Sequence, residues 1–357
     1  MGAGSPSGTI RCVSRSGPNS AAVVFLVLVS MAASAVAQAP DANALAACAV
    51  IDDPAARLAC FDRLVPRSAG ATPAPGPEPE RPVAPPDERP EASLLGERWS
   101  IGVSSGDLRF DLRPHRPSYF LLGRFSDSPN RMPSSPSMPP LAAPLAIDSV
   151  ESKFQLSFKV RMAEFDESIG ASLWAGYTQQ SQWQVYNAAE SRPFRETNYE
   201  PELMLAFHPD RELAGWRWRL LVVGLNHQSN GRGEPLSRSW NRVYAQFGVE
   251  KGNFGVLIRP WWRIPESDSN DDNPDLTRYL GHGDVVAVYR WGRHTLSALG
   301  RFNVSSQKGA LQLGWSFPLA RRLNGYIQGF TGYGESLIDY NVSQTTIGIG
   351  VSLADHL

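Results

Sequence analysis

Hydrophobic and polar residues alternate along most of the chain beyond residue 100, with the period of a β-strand. In the segment KFQLSFKVRM, residues 153–162, every second side chain is apolar, and lysine, glutamine, serine and arginine lie between them. The segments 311–317 and 347–353 repeat this pattern, with small or polar residues on the second face. Counting such runs predicts about twelve strands, near residues 116–125, 151–162, 171–185, 199–209, 215–230, 239–252, 254–264, 279–293, 294–304, 309–319, 323–336 and 345–353.

This alternation is compatible with two architectures. In a soluble sandwich the apolar face packs on a second sheet, whereas in a membrane barrel it faces lipid and the polar face lines the lumen. The strand lengths, the even strand number and aromatic residues such as Trp261, Trp262 and Tyr326 favour the barrel. We therefore predict an all-β fold, a transmembrane antiparallel β-barrel of about 12 strands over residues 96–357. With both barrel termini in the periplasm, the extracellular loops are 126–150, 186–198 and 231–238.

The first 95 residues carry export and linker signals. Two arginines precede the apolar run 21–37, which ends in a small-residue cleavage pattern, so residues 1–37 are predicted to be a secretory signal peptide. The apolar run is too short to favour a membrane anchor, and no other stretch could span a bilayer as a helix. Residues 66–95 are rich in proline and are predicted to form an extended linker.

Two of the three cysteines lie between the signal peptide and the linker. Cys48 and Cys60 have no histidine or third cysteine nearby that would complete a zinc site. In an oxidising periplasm they are predicted to form a disulfide that closes a small helical hairpin within residues 38–65. The alternative is two unpaired, buried thiols. The formal net charge of -1 gives no polyanion-binding surface, so nucleic acid is not expected as a partner.

Polar residues interrupt the apolar face of one predicted strand. His227 and Ser229 continue the face that carries Leu225, and Asn241 lies on the apolar face of the next strand. Polar groups facing hydrocarbon must bond to one another or to a bound molecule. Serine, histidine and an amide suit acyl transfer, with Ser229 as nucleophile, His227 as general base and Asn241 fixing the imidazole tautomer. The alternative is that these residues are wetted at the membrane interface.

Five further segments form a set of motifs: NHQSNGRGEPLSRSWNR at 226–242, YTQQSQWQ at 177–184, ESRPFRETNYEPE at 190–202, and RIPE and DDNPD within 263–275. Together these segments resemble outer-membrane phospholipase A, the calcium-dependent lipase of Gram-negative outer membranes. The resemblance implies a twelve-stranded outer-membrane barrel, inserted by the barrel-assembly machinery. It also implies hydrolysis of phospholipid and lysophospholipid acyl esters at the sn-1 and sn-2 positions, with the same three residues as the catalytic triad.

The resemblance also implies a calcium site and a homodimer. Gly231 matches the position whose backbone N–H belongs to the oxyanion hole. The Arg232 carbonyl and the Ser237 hydroxyl match Ca²⁺ ligands, Ser191 matches the ligand supplied by the partner subunit, and Gln179 matches a polar residue of the dimer interface. These ligands carry no formal charge, so calcium is expected to bind weakly until dimerisation adds Ser191 and lipid excludes water.

Further expectations concern an acidic run, two residues of the lumen and the last residue of the chain. The acidic run 266–275 lacks the spacing of an EF-hand, so a second calcium site is not expected there. Gln246 and Glu250 are predicted to belong to a polar plug in the lumen. Leu357 ends the chain where barrels usually have an aromatic residue, which weakens the assembly signal. The competing functions are a non-enzymatic pore or structural barrel, and an acyltransferase that uses the same nucleophile.

Overall fold

A computed structural model of the chain describes residues 42–64, 93–101, 111–165, 170–320 and 323–353. The chain divides into two compact units, residues 1–83 and 84–357. The predicted signal peptide and most of the predicted linker lie outside the described residues. Within those ranges, no helix is long and apolar enough to cross a membrane.

The described part of the first unit is a helical hairpin. It consists of α1 (Ala42–Ala49) and α2 (Pro54–Leu64). Proline at the first position of α2 suits a helix start, and the Asp53 side chain caps that start by accepting a hydrogen bond from the Ala56 N–H at 3.0 Å. A disulfide joins Cys48 to Cys60 with their Cα atoms 5.6 Å apart, which confirms the predicted pairing.

The second unit is a closed antiparallel β-barrel, as predicted. Each of its twelve long strands pairs with the next long strand along the chain, and the last pairs with the first. Two short strands, Leu112–Pro114 and Arg211–Leu213, lie outside the ring, and each pairs with one of the long strands. The elements are α3 (Leu94–Trp99), β1 (Leu112–Pro114), β2 (Tyr119–Ser126), β3 (Val150–Glu164), β4 (Ala171–Trp183), β5 (Phe194–Phe207), β6 (Arg211–Leu213), β7 (Trp216–Ser229), β8 (Ser239–Lys251), β9 (Phe254–Arg263), α4 (Leu276–Leu280), β10 (Gly283–Trp291), β11 (His294–Asn303), β12 (Lys308–Ala320), β13 (Leu323–Tyr333) and β14 (Ser343–Ser352).

Some element boundaries differ from the predicted ones. Strand β5 begins at Phe194, so the predicted loop 186–198 was too long. The polar residues at the start of this strand are typical of a loop. Their inward side chains join a buried polar network that the sequence does not reveal. The strand predicted from 279 begins at Gly283, because α4 precedes it. The β7–β8 register shifts between Trp218 and Leu220, which marks a bulge where the alternation of β7 breaks.

The two faces of the barrel wall have the polarity expected for a barrel in lipid. On β14, Ile347 and Ile349 point outward and are 60% and 59% exposed. On β3, Lys153 and Lys159 point inward and are fully buried. Apolar residues outside and charged residues inside reverse the arrangement of a soluble domain. The structure therefore confirms that the apolar face of the predicted strands is the outer one.

Buried ion pairs fill much of the lumen. Glu335, in the loop between β13 and β14, accepts hydrogen bonds from Arg124 and from Lys153, the latter at 3.0 Å. Burial by itself raises the pKa of Glu335, but the two cations hold that pKa well below its usual range. A second cluster joins Arg116 to Glu200 and Glu202. The charges of these two clusters are tolerated in the interior because each has a partner of opposite sign.

Additional segments enter the lumen at each end of the barrel. At the end with short turns, the Glu250 carboxylate receives hydrogen bonds from the Ser93 hydroxyl (2.7 Å) and the Leu95 N–H (3.1 Å), which hold α3 inside the wall. At the other end, the loop 334–342 folds inward, and its Ile338 N–H donates to Glu196 at 3.2 Å. Between them lies a cavity of about 210 Å³ that Gln246 lines. The lumen is plugged, as the sequence predicted.

Candidate active site

The candidate site lies on the outer wall, on β7 and β8 near the end that carries the long loops. His227 is directly opposite Asn241 in the register of the two strands. The neighbouring side chains Asn226 and Arg242 are buried in the lumen, so His227 and Asn241 point outward. Their side chains are hydrogen-bonded, with 2.8 Å between His227 Nδ1 and Asn241 Oδ1.

This contact defines which imidazole nitrogen carries the proton. The Asn241 amide N–H₂ donates to Glu266 Oε1 at 2.7 Å, so its carbonyl oxygen faces His227. An amide oxygen only accepts, so Nδ1–H of His227 is the donor and Nε2 is left with a lone pair. Ser229 lies two residues further along β7 on the same outward face. The arrangement leaves a basic nitrogen on the face that carries a serine hydroxyl.

The loop after β7 is held in place by one buried side chain. Asn230 donates to the Leu236 carbonyl at 2.8 Å, and its side-chain oxygen accepts the N–H groups of Arg238 (3.0 Å) and Arg232 (3.3 Å). Gly231 follows in the left-handed region with φ of 64°. A Cβ at this position would lie 3.2 Å from the Tyr199 ring, so both backbone conformation and space favour glycine.

The loop between β9 and β10 packs on this segment and adds an acidic residue that sequence reasoning did not assign. Asp272 Oδ2 accepts from the Ser237 hydroxyl at 2.6 Å and from the Ser239 hydroxyl at 3.3 Å. The Ser239 N–H donates to Asn273 Oδ1 at 3.0 Å. The acidic run 266–275 therefore brings one carboxylate beside Ser237.

The same loop continues toward the plug. The Tyr340 hydroxyl of the inward loop 334–342 donates to Asp275 Oδ1 at 2.6 Å. Burial and this hydrogen bond raise the pKa of Tyr340, so the phenol stays protonated and remains a donor. The loop that supplies Glu266 and Asp272 is thus anchored to the residues that fill the barrel mouth.

The remaining predicted residues lie around this site. Ser191 is exposed, with φ of 59°, in the segment between β4 and β5. No hydrogen bond within the described parts of the chain joins it to Arg232 or Ser237. Gln179 points outward on β4, and register pairs place it opposite Tyr199, which in turn lies opposite Ser229. Gln179 and Ser229 therefore share one lateral row of the outer wall.

The oxygen atoms near Ser237 have the chemistry of a site for a hard cation. Hydroxyl, carbonyl and carboxylate oxygens are the ligands that Ca²⁺ prefers. The described residues contain no group of three or more His, Cys, Asp or Glu side chains that could hold a metal ion. The oxygen atoms that one chain brings to this position are therefore of the type that Ca²⁺ binds, but they include few carboxylates.

The chain is similar to known outer-membrane enzymes. The family described as Phospholipase A1 matches residues 95–353. A phospholipase A1 of Klebsiella pneumoniae is 46% identical over 205 residues, which cover 57% of this chain and 71% of the relative. A phospholipase A1 of Proteus vulgaris is 40% identical over 249 residues, which cover 70% of this chain and 83% of the relative. The crystal structure of a Salmonella typhi outer membrane phospholipase dimer with bound calcium is 38% identical, with a TM-score of 0.66, and covers 74% of this chain and 99% of that chain.

Proposed function

The chain belongs to the phospholipase A1 family of outer-membrane enzymes, and on that premise we propose how it acts. It hydrolyses the acyl esters of phospholipids and lysophospholipids, at the sn-1 and sn-2 positions, with a Ser229-His227-Asn241 triad that faces the outer leaflet. Calcium and association of two copies of the chain activate it. The observation that carries this proposal is the 2.8 Å bond between His227 and Asn241 on the apolar outer wall.

The position of the triad explains how substrate reaches it. A lipid in the membrane already contacts the outer wall, so its ester needs no binding cleft in the lumen. Leu225, on the same face of β7 as His227, is 52% exposed and offers an apolar surface to acyl chains. Wall-facing polar groups that would otherwise be costly in lipid become the reacting groups.

In the reaction, Ser229 Oγ attacks the ester carbonyl and His227 Nε2 takes the hydroxyl proton. Asn241 holds the imidazole in the tautomer that leaves Nε2 free to accept that proton. The acyl–serine ester then forms as the lysolipid or glycerol oxygen leaves with a proton from His227. Water, deprotonated by the same nitrogen, then attacks the acyl–serine carbonyl, and the fatty acid is released as Ser229 Oγ leaves and takes the proton from His227. The Gly231 N–H lies in the loop that follows Ser229 and is assigned to the oxyanion.

The Arg232 carbonyl and the Ser237 hydroxyl would hold calcium, together with Ser191 from a second copy of the chain. When bound, the ion stabilises negative charge that develops on the ester oxygen. Asp272, 2.6 Å from the Ser237 hydroxyl, adds a negative charge that favours a cation there. Sharing of ligands between two chains couples activity to dimerisation. Gln179, Tyr199 and Ser229 share one row, which supports a dimer contact on the wall beside the site.

The test is fatty-acid release from phospholipid in detergent micelles by refolded protein, with calcium or with EDTA. We expect release by the wild type in calcium, little release in EDTA, and loss of release in Ser229→Ala. Ser343→Ala, an exposed serine at the start of β14, is the matched control and should keep full activity.

Three results would contradict the proposal. Release that persists in Ser229→Ala places the nucleophile elsewhere. Absence of release from correctly folded wild type in calcium favours the non-enzymatic barrel. Products in which the acyl group moves to an added alcohol, rather than to water, identify the acyltransferase.

A further inference from the structure

We propose that Glu266 is a positioning residue of the triad: it selects the orientation of the Asn241 amide and thereby the tautomer of His227. The inference rests on the proposed function, because it assigns a task within that triad. Glu266 lies in the loop after β9, 25 positions from Asn241, and the contact between them is a 2.7 Å hydrogen bond from Asn241 Nδ2 to Glu266 Oε1.

An asparagine side chain can adopt two orientations that differ by exchange of its amide oxygen and nitrogen. Its amide oxygen and nitrogen have nearly the same shape, so the side chain could present either to His227. With the oxygen toward His227, Nδ1–H donates and Nε2 can act as the base. With the nitrogen toward His227, Nδ1 has to accept, and Nε2 carries the proton and cannot take one from Ser229. The local strand pairing does not distinguish these two states.

Glu266 distinguishes them because a carboxylate is an acceptor only. The side chain is 16% exposed, so the negative charge is only partly screened by water. The reversed amide would place its oxygen against that charge, whereas the observed orientation makes a charge-assisted hydrogen bond. Two consecutive bonds, from His227 to Asn241 and from Asn241 to Glu266, then form one directed chain.

The backbone places Glu266 for this contact. The Ile264 N–H donates to the Asn241 carbonyl at 2.8 Å, which fixes the start of the loop on the residue that Glu266 contacts. Arg263 then ties the loop back on itself by donating to the Asn273 carbonyl at 2.9 Å and to Asp271 at 2.6 Å.

Glu266 itself takes little part in that bracing. Its Oε2 makes no hydrogen bond within the described residues, and the Arg263 guanidinium is 3.7 Å away. Asp271 is the acid that Arg263 binds closely. The carboxylate of Glu266 is therefore directed to Asn241 rather than to the support of the loop.

A double-mutant cycle separates positioning from structural support. We would measure kcat for fatty-acid release in the wild type, Glu266→Ala, Asn241→Ala and the double variant. A lost charge-assisted bond corresponds to roughly 10- to 100-fold in rate, and we expect a loss of kcat of that size for Glu266→Ala. In the Asn241→Ala background the same substitution should have no further effect. Glu266→Gln, which keeps an acceptor oxygen, should recover most of the activity.

The control is Asp268→Ala, which removes an exposed acid two residues along the same loop and should leave kcat unchanged. A second readout does not depend on activity: ¹⁵N chemical shifts of the His227 ring, assigned by comparison with His227→Ala, report the tautomer in folded protein. We expect a single Nδ1–H tautomer in the wild type and a mixture in Glu266→Ala.

The inference is overturned if Glu266→Ala lowers kcat equally with and without Asn241, or leaves both kcat and the tautomer unchanged. Ser229→Ala keeps this result distinct from failure of the proposed function. An active Ser229→Ala refutes the triad itself. An inactive Ser229→Ala with an additive cycle refutes only the role of Glu266.

Discussion

Replacing Asn241 by aspartate creates a Ser-His-Asp triad, yet we expect this variant to be poorer than the wild type at alkaline pH. The reason is Glu266. In the wild type its carboxylate accepts a hydrogen bond from the Asn241 amide. In Asn241→Asp, a carboxylate oxygen replaces the amide nitrogen and faces a second carboxylate at the same place. Two such groups cannot both ionise freely, so they share one proton.

The structure gives the size of this effect. At the 2.7 Å that separates the two atoms in the wild type, two unit charges repel by about 6 kcal/mol with an effective dielectric constant of about 20, and by about 1.5 kcal/mol in bulk water. This repulsion disfavours the conformation in which the side chain at position 241 contacts His227. Because about 1.4 kcal/mol is tenfold in a population, even the lower figure predicts about a tenfold loss of kcat once the shared proton has left. At low pH the shared proton stays on the introduced carboxyl group. That group then donates a hydrogen bond to Glu266, as the Asn241 amide does in the wild type.

The assay is the pH dependence of kcat for the wild type, Asn241→Asp, and Asn241→Asp combined with Glu266→Gln. Activity of the single variant should fall on the alkaline side, where that of the wild type does not. The double variant should regain at least about tenfold there, since a glutamine N–H can donate to the new carboxylate. Superimposable alkaline limbs for the single and double variants would refute the electrostatic contact between positions 241 and 266.

Three further changes test other parts of the structure. Gly231→Ala should lower kcat several-fold with little change in the unfolding midpoint. The reason is that φ of 64° disfavours alanine and its Cβ would lie 3.2 Å from the Tyr199 ring, so the loop has to move. An unchanged kcat would show that this loop takes no part in catalysis. Glu335→Ala should destabilise the barrel by about 3–5 kcal/mol in denaturant titrations, since two buried cations lose a partner. Because the pKa of Glu335 is depressed in the folded protein, its contribution to the free energy of unfolding is fully present above its unfolded pKa of about 4.3. That contribution is lost as pH falls from this value through the folded pKa. A variant as stable as the wild type at pH 7 would contradict a stabilising role for Glu335. Ile347→Arg, mid-strand on the outer face, should cost about 2–4 kcal/mol in lipid, whereas Ser343→Arg at the strand end should cost about 0–1 kcal/mol; equal costs would argue against a lipid-facing wall.

The plugged lumen bears on the competing function. A pore needs a continuous path, but α3 and the loop 334–342 enter the barrel from opposite ends. Arg124, Glu151 and Lys153 are nearly or fully inaccessible inside the wall. These charged residues occupy inward-facing positions of the alternating pattern. They therefore hold the plug and the strands together. An outward-facing site and a filled interior are consistent with each other.

The strand content of the barrel and the orientation of its faces can be predicted from the local sequence pattern. Alternation has a period of two residues, so a single strand such as β3 already shows which side chains share a side. The same period placed His227, Ser229 and Asn241 on one face, because β7 and β8 are neighbours in sequence and in the sheet. The disulfide followed from two cysteines that are close along the chain. Each of these inferences uses information confined to one or two adjacent elements.

The contacts between groups far apart in the sequence could not be predicted, because they form only in the folded barrel. Glu266 and Asp272 lie in a loop without periodicity, and nothing local shows that one contacts Asn241 and the other Ser237. The helix α3 could not be predicted as a plug, because its partner Glu250 lies about 155 residues away in the chain. The start of β5 was missed for the same reason, since its inward polar side chains look like loop until their partners are known. Hydrogen bonds and ion pairs are short-ranged and directional, so their partners depend on how the closed barrel brings loops together.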